Sequence, residues 1–87
     1  MAAIAVTIQG MAFGPQSIEV AVGDTITWTN MDPMTHTATA DNNDFDSGRL
    51  DQNDTFSWTA NDPPRQIGYH CAIHGPRMSG TLTITAP

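Results

Sequence analysis

Toward the end of the chain, Tyr69-His70-Cys71-Ala72-Ile73-His74-Gly75-Pro76-Arg77-Met78-Ser79-Gly80 puts the only cysteine, a histidine and a methionine on one short loop between two strand-like runs. Another histidine, His36, lies far upstream in the alternating stretch Thr35-His36-Thr37-Ala38-Thr39. Brought together, His36, Cys71, His74 and Met78 supply two imidazoles, a thiolate and a thioether. Thiolate and imidazole suit both zinc and copper, whereas thioether is a soft ligand that favours Cu(I) and is not a usual zinc donor. The methionine therefore points to copper, held in a trigonal plane of two histidines and one cysteine with a weak axial methionine. A centre whose coordination is filled by protein has no open position for water or substrate, which leaves one-electron transfer as its chemistry.

Each of these residues has an ordinary alternative. A single cysteine is commonly a small buried hydrophobe, a methionine a filler of core gaps, and a lone strand histidine nothing more than a strand residue. Only their combination, with Cys71 three residues from His74, speaks for a metal. His70 reads differently: strand alternation sends Tyr69 and Cys71 to one side and His70 to the other, so His70 is expected to face the surface as a non-ligand.

The rest of the chain must hold these groups in place. At 87 residues it is long enough for one modest core, so a single domain spanning 1–87 is expected. Apolar residues alternate with polar ones in short runs: Ile4, Val6 and Ile8; Ile18, Val20 and Val22; Ile26 and Trp28; Phe56 and Trp58; Ile67, Tyr69 and Cys71; Leu82 and Ile84. No segment sustains a helical period. The pattern predicts an all-β protein, an antiparallel β-sandwich of about seven to eight short strands. Gly23-Asp24 is a tight hairpin signal, Asp32-Pro33 a turn entry, and Asp62-Pro63-Pro64 a stiff loop foreign to a central strand. The longest irregular stretch, 41–54, is rich in Asp and Asn, which favour turns and solvent.

On these residues the chain resembles the small cupredoxins, the plastocyanin, amicyanin and pseudoazurin group of blue copper proteins, over nearly its whole length. The run from Phe13 through Ile18, Val20, Gly23, Asp24, Ile26 and Trp28 to Asn30 is similar to that family's F-x-P-x-x-I-x-V-x-x-G-D-x-V-x-W-x-N. Met31-Asp32-Pro33-Met34-Thr35-His36-Thr37 is similar to the stretch around the family's first copper ligand, and Phe45-Asp46-Ser47-Gly48 to the loop before the cysteine strand. The resemblance implies a Greek-key cupredoxin sandwich holding one type 1 copper through His36, Cys71, His74 and Met78. Plastocyanins and pseudoazurins space the last ligands as C-x-x-H-x-x-x-x-M and amicyanins as C-x-x-H-x-x-M. Cys71, His74 and Met78 read C-x-x-H-x-x-x-M, an intermediate loop. Met11, Met31 and Met34 do not lie where the family has its axial ligand. By the same resemblance, Thr37 is expected to bond the Cys71 sulfur or lock the cysteine loop, Pro76 to stiffen that loop, and Asn30 to tie loops together.

The implied function is a soluble one-electron carrier, not an enzyme, whose redox partners dock near the exposed edge of His74. Pro33, Met34, Ile73, Gly75 and Pro76 would surround that edge with a small apolar surface, fitting brief redox contacts. Nine acidic residues stand against Arg49, Arg65 and Arg77, giving a net charge of −6. This balance argues against nucleic acid and anionic membrane surfaces and suits a basic partner. The protein is expected to be a monomer. No signal peptide or transmembrane segment is seen, Met1 reading as a start residue, and the resemblance implies a periplasmic or otherwise extracytoplasmic protein. Two other classes stay open. One is a domain of a multicopper enzyme such as a copper nitrite reductase, in which a histidine beside the blue-copper cysteine binds a second copper, as His70 stands beside Cys71. The other is a non-redox metal-binding sandwich.

Overall fold

A computed structural model describes residues 2–87, the side chain of Pro76 excepted. It consists of eight strands, with no helix among the described residues: β1 (Ala3–Gln9), β2 (Ala12–Gly14), β3 (Ser17–Ala21), β4 (Thr25–Asn30), β5 (Thr39–Ala40), β6 (Thr55–Thr59), β7 (Arg65–Cys71) and β8 (Gly75–Thr85). They form two four-stranded sheets, ordered β2-β1-β4-β6 and β3-β8-β7-β5. The sandwich is therefore as the alternation predicts. Two pairings, β1 with β4 and β3 with β8, run parallel within it. Alternation reports which face a side chain takes and carries no signal for the direction of the neighbouring strand.

Each strand sends one row of side chains into a shared core. Val6, Ile8, Ile26 and Trp28 of the first sheet meet Val20, Ile67, Tyr69, Leu82 and Ile84 of the second, all buried. Trp28 ties the sheets together, its ring centroid 5.5 Å from that of Tyr69 and 5.7 Å from that of Phe56. On the solvent face of the first sheet, hydroxyls pair across strands, Thr25 with Thr59 at 3.0 Å and Thr27 with Ser57 at 2.8 Å.

Loops correct two simple expectations. Gly23-Asp24 does make a tight turn, with Gly23 at φ 98° and the Asp24 amide donating to the Ala21 carbonyl at 3.0 Å. The turn carries the chain from one sheet to the other and closes no hairpin, because β3 and β4 belong to different sheets. Stretch 41–54 is irregular as predicted, yet Phe45 and Leu50 dip into the core from it. Phe45 packs on Trp58 with ring centroids 4.9 Å apart.

Candidate metal centre

His36, Cys71 and His74 converge at one end of the sandwich. Cys71 is the last residue of β7, and His74 sits in the tight loop that leads into β8. His36 precedes β5, and its backbone exchanges both hydrogen bonds with Leu50, at 3.0 and 2.7 Å. His36, 35 residues before Cys71, is thereby held beside the loop: Cys71 Sγ lies 3.7 Å from His36 Nδ1 and 3.3 Å from His74 Nδ1.

All three ligand atoms lie within 4.8 Å of one another. Metal bonds of about 2.0–2.1 Å to nitrogen and 2.3 Å to sulfur, opened to trigonal or tetrahedral angles, separate neighbouring donors by roughly 3.5–3.8 Å. The two sulfur–nitrogen separations, 3.7 and 3.3 Å, lie near that spacing, and the donor set, two imidazoles and a thiol, fits a single type 1 copper. Cys71 and His36 are wholly buried, while His74 is partly exposed.

The groups behind the ligands are equally ordered. Thr37 does both things expected of it: its backbone N–H points at Cys71 Sγ at 3.4 Å, and its Oγ1 accepts the Ala72 N–H at 2.7 Å. One residue thus supports the sulfur and pins the start of the loop. Asn30, buried, donates to the carbonyls of Met34 at 2.8 Å and Leu50 at 2.7 Å and accepts the Asp32 N–H at 2.9 Å. These bonds tie together the segments on either side of His36.

Asp32, expected as a turn residue and part of the stretch that resembles the family around His36, touches that histidine. Its Oδ2 lies 2.8 Å from His36 Nε2, and it accepts the N–H groups of Gly10 at 2.8 Å and Met11 at 3.0 Å. The Met11 and Gly10 amides, helped by His36, hold its carboxyl below the usual range. A carboxylate four residues before a histidine is a weak sequence signal, because only the folded turn shows which atoms meet.

Met78 is 2% exposed and packs into the core cluster. The β7–β8 ladder shifts register here: His70 pairs with Ser79, but Cys71 pairs with Gly75, so 76–78 bow out of the ladder. The bow carries Met78 back to the strand position next to the pairing partner of His70. The side chain of Pro76, expected to stiffen this loop, lies outside the described residues. Met11, Met31 and Met34 are surface residues, each more than two-fifths exposed.

His70 faces away from Cys71, as alternation predicts. Its Nδ1 lies 2.5 Å from Asp41 Oδ1, beside a shallow cleft of about 570 Å³ lined also by Ala72, Gly75 and Ser79. Met34 and Ile73 are 48% and 45% exposed, so neither packs inward.

Comparison with known proteins agrees with this centre. Residues 1–85 match the family described as copper binding proteins, plastocyanin/azurin family, and the chain belongs to that family. Among solved structures, an oxidised leucine-for-methionine variant of amicyanin is similar at 25% identity and a TM-score of 0.86, over 94% of this chain and 81% of that one. A reduced Cu(I) form of a glycine-for-proline amicyanin variant is similar at 28% identity and a TM-score of 0.85, over 95% of this chain and 82% of that one. The Cu-containing nitrite reductase (NirK) from Thermus scotoductus SA-01 is similar at 25% identity and a TM-score of 0.87, over 97% of this chain but 22% of that one. A search of curated protein sequences finds no match.

Proposed function

We propose that this chain is a one-electron carrier, a single cupredoxin domain whose one copper would be held by His36 Nδ1, Cys71 Sγ and His74 Nδ1, with the Met78 thioether as fourth donor. The observation that carries this reading is the convergence of two imidazole nitrogens and one thiol within 4.8 Å, in a largely buried place. Bound copper would supply the Cu(II)/Cu(I) couple. The protein contributes a rigid frame: Thr37 and Asn30 hold the histidine segment and the cysteine loop in one arrangement, so that neither oxidation state requires the ligands to move. Water is kept from Cys71 and His36 by burial.

Of the proposed ligands His74 has the solvent edge, and the exposed Ile73 next to it in the chain, with the exposed Met34 two residues before His36, would supply a small apolar surface for short-lived contact with a redox partner. The reading includes a monomer acting outside the cytoplasm, and among the described residues no helix is long and apolar enough to cross a membrane. The test is direct. Copper-loaded, oxidised protein should bind one metal per chain and show an intense visible charge-transfer band, which Cys71→Ser should abolish. Intense colour persisting in the serine variant would refute the assignment.

A second reading, a piece of a larger copper enzyme, is favoured by the nitrite reductase neighbour and by His70, displayed beside Asp41 on the outer face. The sequence has three histidines, and two are spent at the first centre, so further ligands for a catalytic metal would have to come from outside these 87 residues. Two coppers per chain with nitrite turnover would favour this reading; one copper and no turnover would favour the carrier.

A further inference from the structure

Chain reversal between β1 and β2 takes two residues, Gly10 and Met11, with Gln9 paired to Ala12 on either side. Both have positive φ, 61° and 56°, which a hairpin this short needs and which Gly, Asn and Asp provide most readily. Gly10 follows that rule and Met11 breaks it. A methionine in the left-handed region costs energy that Gly or Asn would not, and Met11, 46% exposed, is no part of the core. The turn is held all the same, the Gly10 and Met11 amides donating to the two Asp32 carboxylate oxygens at 2.8 and 3.0 Å. Backbone strain that persists on a surface turn points to a use for the side chain placed there.

Met11 borders a cavity of about 150 Å³, lined also by residues of β2 and β8. Met78 lines the same cavity and is 2% exposed. One thioether residue thus lies at the surface and one inside, the inner being the fourth donor of the proposed copper centre. Among the described residues that line the cavity there is no carboxylate, imidazole or thiol, so a hard ion such as Ca²⁺ or Mg²⁺ lacks its oxygens there and Zn²⁺ its usual donors. Two thioethers suit Cu(I). Arg77 also lines the cavity, and because it is exposed its charge is screened. Met31 and Met34, exposed to a similar degree, line no part of it.

We infer that this cavity is the entry site for Cu(I), with Met11 the outer thioether that takes the ion from its carrier and Met78 the inner one. The inference rests on the reading of His36, Cys71, His74 and Met78 as the copper ligands. Such a centre needs an entrance, because Cys71 and His36 are wholly buried. Entry is ligand exchange: a bond from Cu(I) to the carrier breaks as the bond to a thioether sulfur forms, and no electron moves. A proton leaves the Cys71 thiol once the ion is bound there. The competing route runs past the partly exposed His74 and leaves Met11 an idle turn residue.

Silver(I), a soft monovalent ion, serves as the probe for metal-free protein carrying Cys71→Ser, which removes the thiolate of the main centre. In NMR of isotope-labelled methionine methyl groups, the Met11 and Met78 signals should shift together while those of Met31 and Met34 stay in place. A Met11 signal that does not move, or moves no more than those of Met31 and Met34, overturns the inference. Uptake by the metal-free parent, from Cu(I) supplied as its acetonitrile complex, can be followed in stopped flow by the ultraviolet band of the Cu(I)–thiolate bond. Met11→Asn should slow uptake several-fold, yet still end at one Cu(I) per chain and melt no lower than the parent, because Asn tolerates the left-handed turn. Met11→Leu should slow it as much, and Met31→Leu should run at the parental rate. Parental uptake in both Met11 variants would overturn the inference and place the entrance at His74. Should those variants fail to fold, the silver titration, with Met11 in place, still decides. Silver shifts at Met11 and Met78 in a protein that binds no copper at Cys71 would sink the electron-carrier reading while leaving the cavity site intact.

Discussion

Gly80 stands directly opposite Tyr69 in the β7–β8 ladder, and a methyl group there would have no room. A Cβ on Gly80 would lie 2.5 Å from Tyr69 Cζ, 2.6 Å from its hydroxyl oxygen and 3.0 Å from the Gln16 carbonyl oxygen. Carbon atoms in contact prefer about 3.5–4.0 Å, so the ring would have to retreat by about 1 Å. It has nowhere to retreat to. Tyr69 is fully buried, with the rings of Phe13, Trp28 and Phe45 at centroid distances of 4.7, 5.5 and 6.0 Å. Overpacking of this kind costs about 1–3 kcal/mol, and in a domain of this size each kcal/mol moves the melting temperature by about 4–8 °C. Gly80→Ala should therefore lower the Tm of the metal-free protein by roughly 4–24 °C, read by circular dichroism. Burial pushes the Tyr69 phenol pKa up, with the Trp28 indole N–H pulling weakly the other way, yet neither polar atom has a partner in hydrogen-bond geometry. Tyr69→Phe alone should then cost little. Added to Gly80→Ala, it should recover part of the loss, because it removes the contact at the oxygen and leaves that at the ring carbon. A Gly80→Ala protein that melts with the parent would refute the packing argument.

Met78→Leu should keep copper and colour while shifting the reduction potential upward in voltammetry, since an axial thioether tunes a centre that the other three ligands hold; loss of copper, or no shift, would count against axial ligation. Asp24 is held below the usual carboxylate range by the Ala21 and Ala2 amides, so its contribution to stability is present above the unfolded value of about 3.9 and is lost as pH falls through the lower folded value. Urea midpoints over an acid series should fall accordingly, and Asp24→Asn should lower the neutral midpoint and flatten the acid limb. With a cationic redox partner, rising salt should slow bimolecular electron transfer, because the acidic loop field is screened beyond about 8 Å at physiological ionic strength. Asp51→Asn with Asp54→Asn should flatten that dependence more than Asp44→Asn, because Arg65 already sits 2.7 Å from Asp44; a salt-independent parent rate in stopped flow would end the steering idea.

Much of this protein follows from residue type and order alone. Alternating Ile, Val and Trp positions predict the core rows, because a strand sends successive side chains to opposite faces whatever its neighbours do. Cys71 and His74, three residues apart on a turn, must lie close together, and an imidazole, a thiol and a nearby thioether declare a soft metal before any fold is known. The placement of His70 on the outer face follows from the same alternation. What the sequence alone leaves open is everything that depends on which segments meet. His36 lies 35 residues from Cys71, and the Leu50 bridge, the Asn30 bonds and the bonds of Thr37 to Cys71 and Ala72 hold it there. Direction of pairing is likewise a tertiary matter, so the parallel β1–β4 and β3–β8 ladders had no local signature. Asp32 reads as a turn former in one dimension; it becomes the partner of His36 because two positive-φ residues from a different turn aim their amides at it. Hydrogen bonds between distant segments leave no periodic trace in a chain, and they are what hold this centre in place.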